Sequence, residues 1–162
     1  MNRSTNNYDA IILGAGGAGL MCAAIAGQRG KRMLLIDHAD QVGKKILISG
    51  GGRCNFTNRS TTPDRYLSAN PHFAKSALSR YTPKDFIALV DSYHIAWHEK
   101  ELDQLFCDSA ARQIVDMLLA ECDKGAVELR LGQGVGDINP ADGGYRVSCG
   151  NETATAPSLV IA

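Results

Sequence analysis

The first 37 residues of this 162-residue chain constrain its fold most, because they carry the pattern of one β-α-β unit. The apolar run at residues 8–13 predicts a buried strand that ends at a glycine. A glycine-rich turn follows and opens a segment of good helix formers, which ends at Gly30, a residue suited to cap a helix. A second apolar run at residues 31–37 completes the unit. The pattern predicts an α/β fold with a parallel sheet.

Residues 14–19 match the dinucleotide-binding pattern GxGxxG, in the position between strand and helix that gives the pattern its meaning. Gly14 permits a tight turn, Gly16 lets the backbone approach a pyrophosphate, and Gly19 permits close packing of helix on strand. The helix N-terminus offers N–H groups and a positive dipole end to that anion. Asp37 is placed to accept hydrogen bonds from a ribose diol. The alternative is a structural turn with a surface aspartate.

A second glycine-rich stretch, GKKILISGGGRCNFTN, occupies residues 43–58. Lys45 can meet phosphate charge, and residues 49–52 suit a concave nest of backbone N–H groups. Arg53 adds a forked donor, and Asn55 can donate or accept. A domain that binds only NAD has no need of a second anion-binding loop here, whereas an extended FAD does. The stretch therefore favours FAD over NAD; the alternative is a flexible surface loop with a chance glycine triplet.

The rest of the chain predicts further elements around a long polar loop at residues 40–71. We expect helices at residues 72–81, from the N-cap Thr82 onward, and at residues 109–124. Two short strands are expected in HIAWHEK and QLFCD, and a third strand of the parallel sheet in VELRL. A β-meander is predicted over residues 135–156, followed by a buried strand in SLVIA.

These motifs together resemble the BaiN-like or YhiN-like bacterial FAD-dependent flavoproteins, also called the aminoacetone oxidase family of FAD-binding enzymes. The resemblance rests on GAGGAG, on the strand that ends in Asp37 and above all on GKKILISGGGRCNFTN, and it covers the whole chain. The later elements resemble glutathione-reductase-like FAD domains. The resemblance implies a Rossmann-like FAD/NAD(P)-binding domain with a parallel sheet and a β-meander, whose bound FAD performs hydride or electron transfer.

The resemblance also implies which residues form the cofactor site, and no catalytic residue is assigned. The pyrophosphate would be lined by Gly14, Gly16, Gly17, Ala18 and Gly19. The adenosine ribose would be held by Asp37, with His38 beside it, and the backbone of Val135 would meet the adenine. The path towards the flavin would be lined by Lys45, Ser49, Gly50, Gly51, Gly52, Arg53, Cys54 and Asn55. For Cys54, the glycine-rich, arginine-flanked position favours a lowered pKa, although we favour a packing or flavin-contact role.

Proteins of this family are more than twice as long as the chain. We therefore expect residues 1–162 to be the N-terminal part of an FAD-binding domain, truncated at the C-terminus. The substrate domain and the C-terminal return segment are expected to be absent. Two alternatives to an FAD-dependent oxidoreductase stay open: an NAD-dependent dehydrogenase or reductase, and a non-catalytic nucleotide-binding module.

Composition bounds the partners and the compartment. Seventeen basic residues balance seventeen acidic ones, so the total charge gives no field for nucleic acid or for an anionic membrane. We expect a small-molecule substrate, with NAD(P)H as a candidate electron donor. Five separated cysteines without a CxxC pair favour a reduced, cytoplasmic protein. The uncharged run at residues 10–27 raises a membrane or signal-peptide alternative, which a strand and helix explain better. His94 and His98 lack a third ligand at metal spacing, so no metal is expected.

Overall fold

The computed structural model describes residues 7–162; the first six residues of the predicted domain lie outside that range. The helices are α1 (Gly17–Gln28), α2 (Lys44–Ile48), α3 (Lys75–Arg80), α4 (Pro83–Ser92) and α5 (Arg112–Lys124). The strands are β1 (Ala10–Leu13), β2 (Met33–Ile36), β3 (Asn55–Asn58), β4 (Trp97–Glu99), β5 (Gln104–Cys107), β6 (Glu128–Arg130), β7 (Val135–Ala141), β8 (Gly144–Cys149), β9 (Glu152–Ala156) and β10 (Ser158–Ile161).

The chain divides into two compact units. The parallel-sheet unit comprises Met1–Lys45 and Leu118–Ala162, and the small unit comprises Ile46–Met117.

The parallel-sheet unit contains the predicted β-α-β unit. Its four strands pair in the order β10-β1-β2-β6, and all neighbouring pairs are parallel. The apolar runs at residues 8–13 and 31–37 produce β1 and β2, whose central side chains are buried. Helix α1 ends before Gly30, which has a φ of +81° and a backbone N–H bonded to the Gly27 carbonyl. The predicted α/β class with a parallel sheet is confirmed.

The predicted β-meander is also confirmed, as an antiparallel sheet β7-β8-β9. Its apolar face forms a common core with β1 and β2, in which Val147, Cys149 and Ala154 are buried. The turn between β7 and β8 contains Gly143 with a φ of +76°, as the turn signal at these residues predicts.

The prediction of a buried final strand is wrong in part. Strand β10 forms and pairs with β1 in register, but Leu159 and Val160 are only half-buried and Ile161 is 72% exposed. The reason is its place in the sheet: among the described residues β10 pairs with β1 alone and is an edge strand. Apolar content predicts a strand but does not predict its position in the sheet order.

The small unit is built on an antiparallel sheet β3-β5-β4. The expected strands in HIAWHEK and QLFCD are confirmed as β4 and β5. Helix α4 begins with the predicted capping box. The Thr82 backbone N–H donates to the Asp85 carboxylate, and the Asp85 backbone N–H donates to the Thr82 hydroxyl. Phe56 lies against Phe86 and Trp97, which joins α4 to the sheet.

The predicted long loop at residues 40–71 is partly wrong, because it contains α2 and β3. Strand β3, with the sequence NFTN, has no apolar run that marks it as a strand; it forms because its backbone pairs with β5. The uncharged run at residues 10–27 is shared between β1, the glycine turn and α1. No helix within residues 7–162 has both the length and the apolar content to cross a bilayer.

Candidate cofactor-binding site

Two glycines of the first turn are required by packing within the protein itself. Gly14 has a φ of +110°, and a Cβ atom there would clash with the carbonyl oxygen of Ala162. At Gly19 a Cβ atom would clash with the carbonyl oxygen of Gly14. The helix therefore packs on the strand end as closely as the sequence pattern predicts.

Gly16 has no such explanation within the protein. Its φ is −80°, which any residue can adopt, and a Cβ atom built there has no neighbouring heavy atom within 4 Å. Neither backbone conformation nor packing selects glycine at this position. A side chain here would instead fill the open space beside the start of α1, which is the space a bound pyrophosphate would need.

The N-terminus of α1 is open to an anion. Gly16 is its N-cap residue and has no side chain to accept hydrogen bonds from the first turn. No acidic residue lies in that first turn. The helix has 12 residues, so the dipole is fully developed at this end. Gly16, Gly17 and Ala18 thus present backbone and a positive potential, and the residues present fit a diphosphate group.

Asp37 joins the ends of β1 and β2. Its carboxylate accepts hydrogen bonds from the backbone N–H groups of Ala15, at 2.6 Å, and Ala39, at 2.8 Å. Partial burial acts to raise the pKa of Asp37, but these two donors, with His38 and Lys44 nearby, hold the pKa below its usual value. The ionised carboxylate retains acceptor capacity for a ribose diol.

Of the other predicted residues of the parallel-sheet unit, His38 and the segment before Val135 contact Asp37. His38 is largely exposed, with Nδ1 3.3 Å from the Asp37 carboxylate. The segment before Val135 is bonded to Asp37, because the Gln133 backbone N–H donates to the Asp37 carbonyl. Lys45 is exposed. The structure therefore brings the glycine turn, Asp37, His38 and the segment before Val135 together at the carboxyl ends of the parallel strands.

The second glycine stretch lies in the small unit and has the conformation that a glycine triplet permits. Gly50, Gly51 and Gly52 all have positive φ values, of 57°, 67° and 84°. At Gly50 a Cβ atom would lie 2.6 Å from the ring of Phe106, whereas at Gly51 it would meet nothing within 4 Å. Gly50 is thus selected by both backbone and packing, and Gly51 by backbone alone.

Strand β5 holds this glycine stretch in place. The Cys107 backbone N–H donates to the Arg53 carbonyl at 3.0 Å, and the Ala111 N–H donates to the Gly52 carbonyl at 2.7 Å. The side chain of Ser49 donates to the Ile46 carbonyl, and Asn55 is exposed at the start of β3. Arg53 is exposed as well.

The expectation of a lowered pKa for Cys54 is wrong. The residue is 4% exposed, and burial raises the pKa of its thiol despite a hydrogen bond with Ser49 that acts to lower it. A buried, protonated thiol suits a packing role. The prediction rested on the neighbouring glycines and arginine, and these residues do not reveal that β5 lies alongside this part of the loop.

The structure also shows neighbours that sequence reasoning missed. Phe106 contacts Gly50, and Gln133 contacts Asp37, although both pairs are far apart in sequence. The glycines at 132 and 134, after the VELRL strand, were the one available signal of a third strand-end turn. His94 and His98 do not share a helix: His94 lies in a turn with a φ of 54°, and His98 lies on β4. Within residues 7–162 no three metal-ligating side chains cluster.

Comparison with known proteins identifies one family model and several curated relatives. The family described as HI0933-like protein Rossmann domain matches residues 8–162. The ribosomal RNA dihydrouridine synthases of Escherichia coli and Haemophilus influenzae are each 56% identical to this chain, over 96% and 79% of its length respectively. The 3-dehydro-bile acid delta(4,6)-reductase of Clostridium scindens is 36% identical over 43% of the chain. The chain spans 39% and 32% of the length of the two synthases in these alignments.

Solved structures confirm the fold class. The Diels-Alderase PyrE3 of pyrroindomycin biosynthesis is 16% identical, with a TM-score of 0.62, over 98% of this chain and 32% of PyrE3. The halogenase PltM in complex with phloroglucinol and FAD is 22% identical, with a TM-score of 0.55, over 96% of this chain and 34% of the halogenase. The predicted Rossmann-like FAD-binding fold is confirmed, and FAD is the cofactor that these comparisons support.

Proposed function

The chain belongs to the family of HI0933-like protein Rossmann domains, and on that premise we propose that it is the FAD-binding part of a flavin-dependent reductase. We propose further that the whole protein reduces uridine to dihydrouridine in ribosomal RNA. In its reduced form, the bound flavin would supply the hydride for such a reduction. The chain's own residues hold the cofactor and orient it, with the site residues assigned as the sequence predicts.

The single observation that carries cofactor binding is Gly16. Gly14 and Gly19 are explained by contacts within the protein, but Gly16 is not. A glycine that neither conformation nor packing selects, at the uncapped start of α1, is accounted for by a ligand that approaches the backbone. Asp37 and His38 follow the carboxyl end of β2, beside the glycine turn, where they are placed to bind the ribose.

The substrate proposal rests on the synthases at 56% identity and on the chemistry their name implies. Dihydrouridine is uridine in which the ring C=C bond, conjugated to a carbonyl, has been saturated. A hydride adds to the carbon β to the carbonyl, and a proton adds to the α carbon. The reduction needs a proton donor as well as the cofactor.

The distribution of charge supports an RNA substrate better than the total charge does. Within residues 53–84 there are six basic residues and one acidic residue, Asp64. The six are Arg53, Arg59, Arg65, Lys75, Arg80 and Lys84. Tyr66 and Phe73, in the same stretch, are 49% and 77% exposed. Cations and exposed aromatic rings suit phosphates and unstacked bases. The total charge led to the opposite expectation, that nucleic acid is not a partner. The experiment below decides between that expectation and an RNA substrate.

Nucleoside analysis of ribosomal RNA tests the proposal. Cells deleted for the gene that encodes this chain are complemented with the full-length gene or with its Gly16→Val variant, and dihydrouridine is quantified by mass spectrometry. We expect dihydrouridine to be lost on deletion, restored by the parent gene and not restored by Gly16→Val. Equal dihydrouridine in deleted and parent cells would reject the RNA substrate.

A second candidate is the reduction of a small conjugated ketone, favoured by the bile acid reductase at 36% identity and by the balanced total charge. The two candidates share one reaction on different substrates. Turnover of a small conjugated ketone by the purified full-length protein, with unchanged ribosomal RNA in the deleted cells, is the result that favours it.

A further inference from the structure

A histidine–aspartate pair lies in the small unit, outside the residues predicted to bind the cofactor. His98 is on β4 and Asp108 directly follows β5, and His98 Nδ1 is 2.6 Å from Asp108 Oδ1. The side chains are 37% and 49% exposed, so solvent reaches both. A carboxylate only accepts hydrogen bonds, so Nδ1 carries the proton in this pair and Nε2 is the nitrogen left for other partners. No described residue hydrogen-bonds to Nε2.

The pair lies next to the second glycine stretch through one aromatic ring. The imidazole of His98 is stacked on Phe106, with ring centroids 6.3 Å apart and planes inclined by 21°. The same Phe106 ring is the group that a Cβ atom at Gly50 would strike. Gly50, Phe106 and His98 therefore form one contiguous series of contacts within the small unit.

The backbone fixes Asp108 beside the same stretch. Cys107, its neighbour in sequence, donates to the Arg53 carbonyl, and the Asp108 N–H donates to the Ala96 carbonyl at 2.9 Å. The ammonium group of Lys100 lies over the other ring, with Nζ 4.2 Å from the Phe106 centroid. Glu99, the residue after His98, is paired with Arg59. Asp108 is thus the one carboxylate that the described residues place on the imidazole.

We propose that His98 is the proton donor of the reduction and that Asp108 is its positioning residue, an inference that rests on the proposed function. A reduced flavin held by the site would supply a hydride to the β carbon of the conjugated C=C bond, and the π electron pair of that bond would move to the α carbon. That carbon takes the proton from His98 Nε2, and solvent reprotonates the imidazole. One hydride and one proton enter, and the C=C bond becomes a single bond. Asp108 accepts the hydrogen bond from Nδ1–H, which fixes the orientation of the ring.

The test separates proton donation from every earlier step. Purified full-length protein is reduced with dithionite and mixed with either a uridine-containing ribosomal RNA fragment or a small conjugated ketone, and flavin reoxidation is followed by absorbance. We expect His98→Gln to slow reoxidation about 10²–10⁴-fold. Flavin content and the thermal unfolding midpoint are expected to stay unchanged. His72→Gln, the same change at an exposed histidine, is the control and is expected to match the parent.

Two further readouts do not depend on the size of the rate. The pH profile of the reoxidation rate is expected to differ between the parent and His98→Gln. By NMR, the Nδ1 proton of His98 should resonate far downfield in the parent, and Asp108→Asn should abolish that signal while slowing reoxidation less than His98→Gln does.

The failures are distinguishable. If parent protein is reoxidised and His98→Gln reacts equally fast with the same pH profile, His98 is not the donor, and the proposed function stands. If parent flavin is reoxidised by neither acceptor, the proposed function fails and the role of His98 fails with it. If His98→Gln loses flavin or unfolds earlier, the histidine is structural and the inference is overturned.

Discussion

At the scale of single residues, the three glycines that define the GxGxxG pattern look alike in sequence, but different physical causes require them. Gly14 and Gly19 are enforced by carbonyl oxygens of the protein, whereas open space surrounds Gly16. Mutation therefore distinguishes a glycine kept for the fold from one kept for a ligand. Gly50 and Gly51 differ in another way: a Cβ atom at Gly50 would strike Phe106, whereas Gly51 is selected by its positive φ alone.

Gly16→Val should abolish FAD binding and leave the unfolding midpoint near that of the parent, because the new side chain enters open space that the cofactor needs. Gly19→Ala is the matched variant and should destabilise the protein by about 1–3 kcal/mol through overpacking against Gly14. Flavin fluorescence titration and urea unfolding measure the two effects. Parent-like FAD affinity in Gly16→Val would reject the pyrophosphate assignment.

The buried thiols of the small unit should resist alkylation in the native protein. Burial raises the pKa of Cys54, and burial with the nearby Cys54 and Asp108 raises the pKa of Cys107 to about 11. Both are therefore protonated at pH 8 and react slowly with iodoacetamide. Mass spectrometry of tryptic peptides before and after urea unfolding measures the difference. Fast labelling of Cys54 in the native protein would contradict its burial and would support the lowered pKa that the sequence predicts.

At the scale of elements, helix α4 is the case in which local sequence specifies structure almost completely. Thr82, Pro83 and Asp85 provide the cap, the first-turn proline and the return hydrogen bond. Strand β3 is the opposite case, since its four residues pair only because β5 lies alongside.

Thr82→Ala should destabilise the protein by about 1 kcal/mol, because it removes the hydroxyl that accepts the hydrogen bond from the Asp85 backbone N–H. Urea unfolding measures the free energy, and amide hydrogen exchange should show the loss of protection concentrated in α4. Ser76→Ala, at an exposed position in α3, is the control and should change stability little. Equal effects of the two substitutions would contradict the capping role.

At the scale of the whole molecule, the structure describes two compact units within a chain that spans 39% and 32% of the length of the two synthases. The parallel-sheet unit carries the turn and Asp37, and the small unit carries the second glycine stretch and the His98–Asp108 pair. The stability of the protein in acid should depend on carboxylates that accept backbone hydrogen bonds, as that of Asp37 does.

Asp37 should contribute to acid sensitivity. Its pKa in the folded protein is below the usual value, so its ionised form stabilises the fold above pH of about 4. That contribution is lost as the pH falls through the folded pKa. Asp37→Asn should therefore lower stability at pH 7 and flatten its decline below pH of about 4. Urea unfolding from pH 7 to pH 3 measures this, with Asp137→Asn, at an exposed position of β7, as control. A parent-like slope in Asp37→Asn would exclude the role.

The sequence by itself determined the β-α-β unit, the α4 cap, the meander and the identity of the glycine turn, because apolar periodicity and turn chemistry are local. Only the tertiary structure decided that β10 is an edge strand, that β3 is a strand, and that Cys54 is buried. It also placed Phe106 on Gly50 and Asp108 on His98. Those facts depend on which strands become neighbours, and strand order and register are set by contacts between residues far apart in the chain.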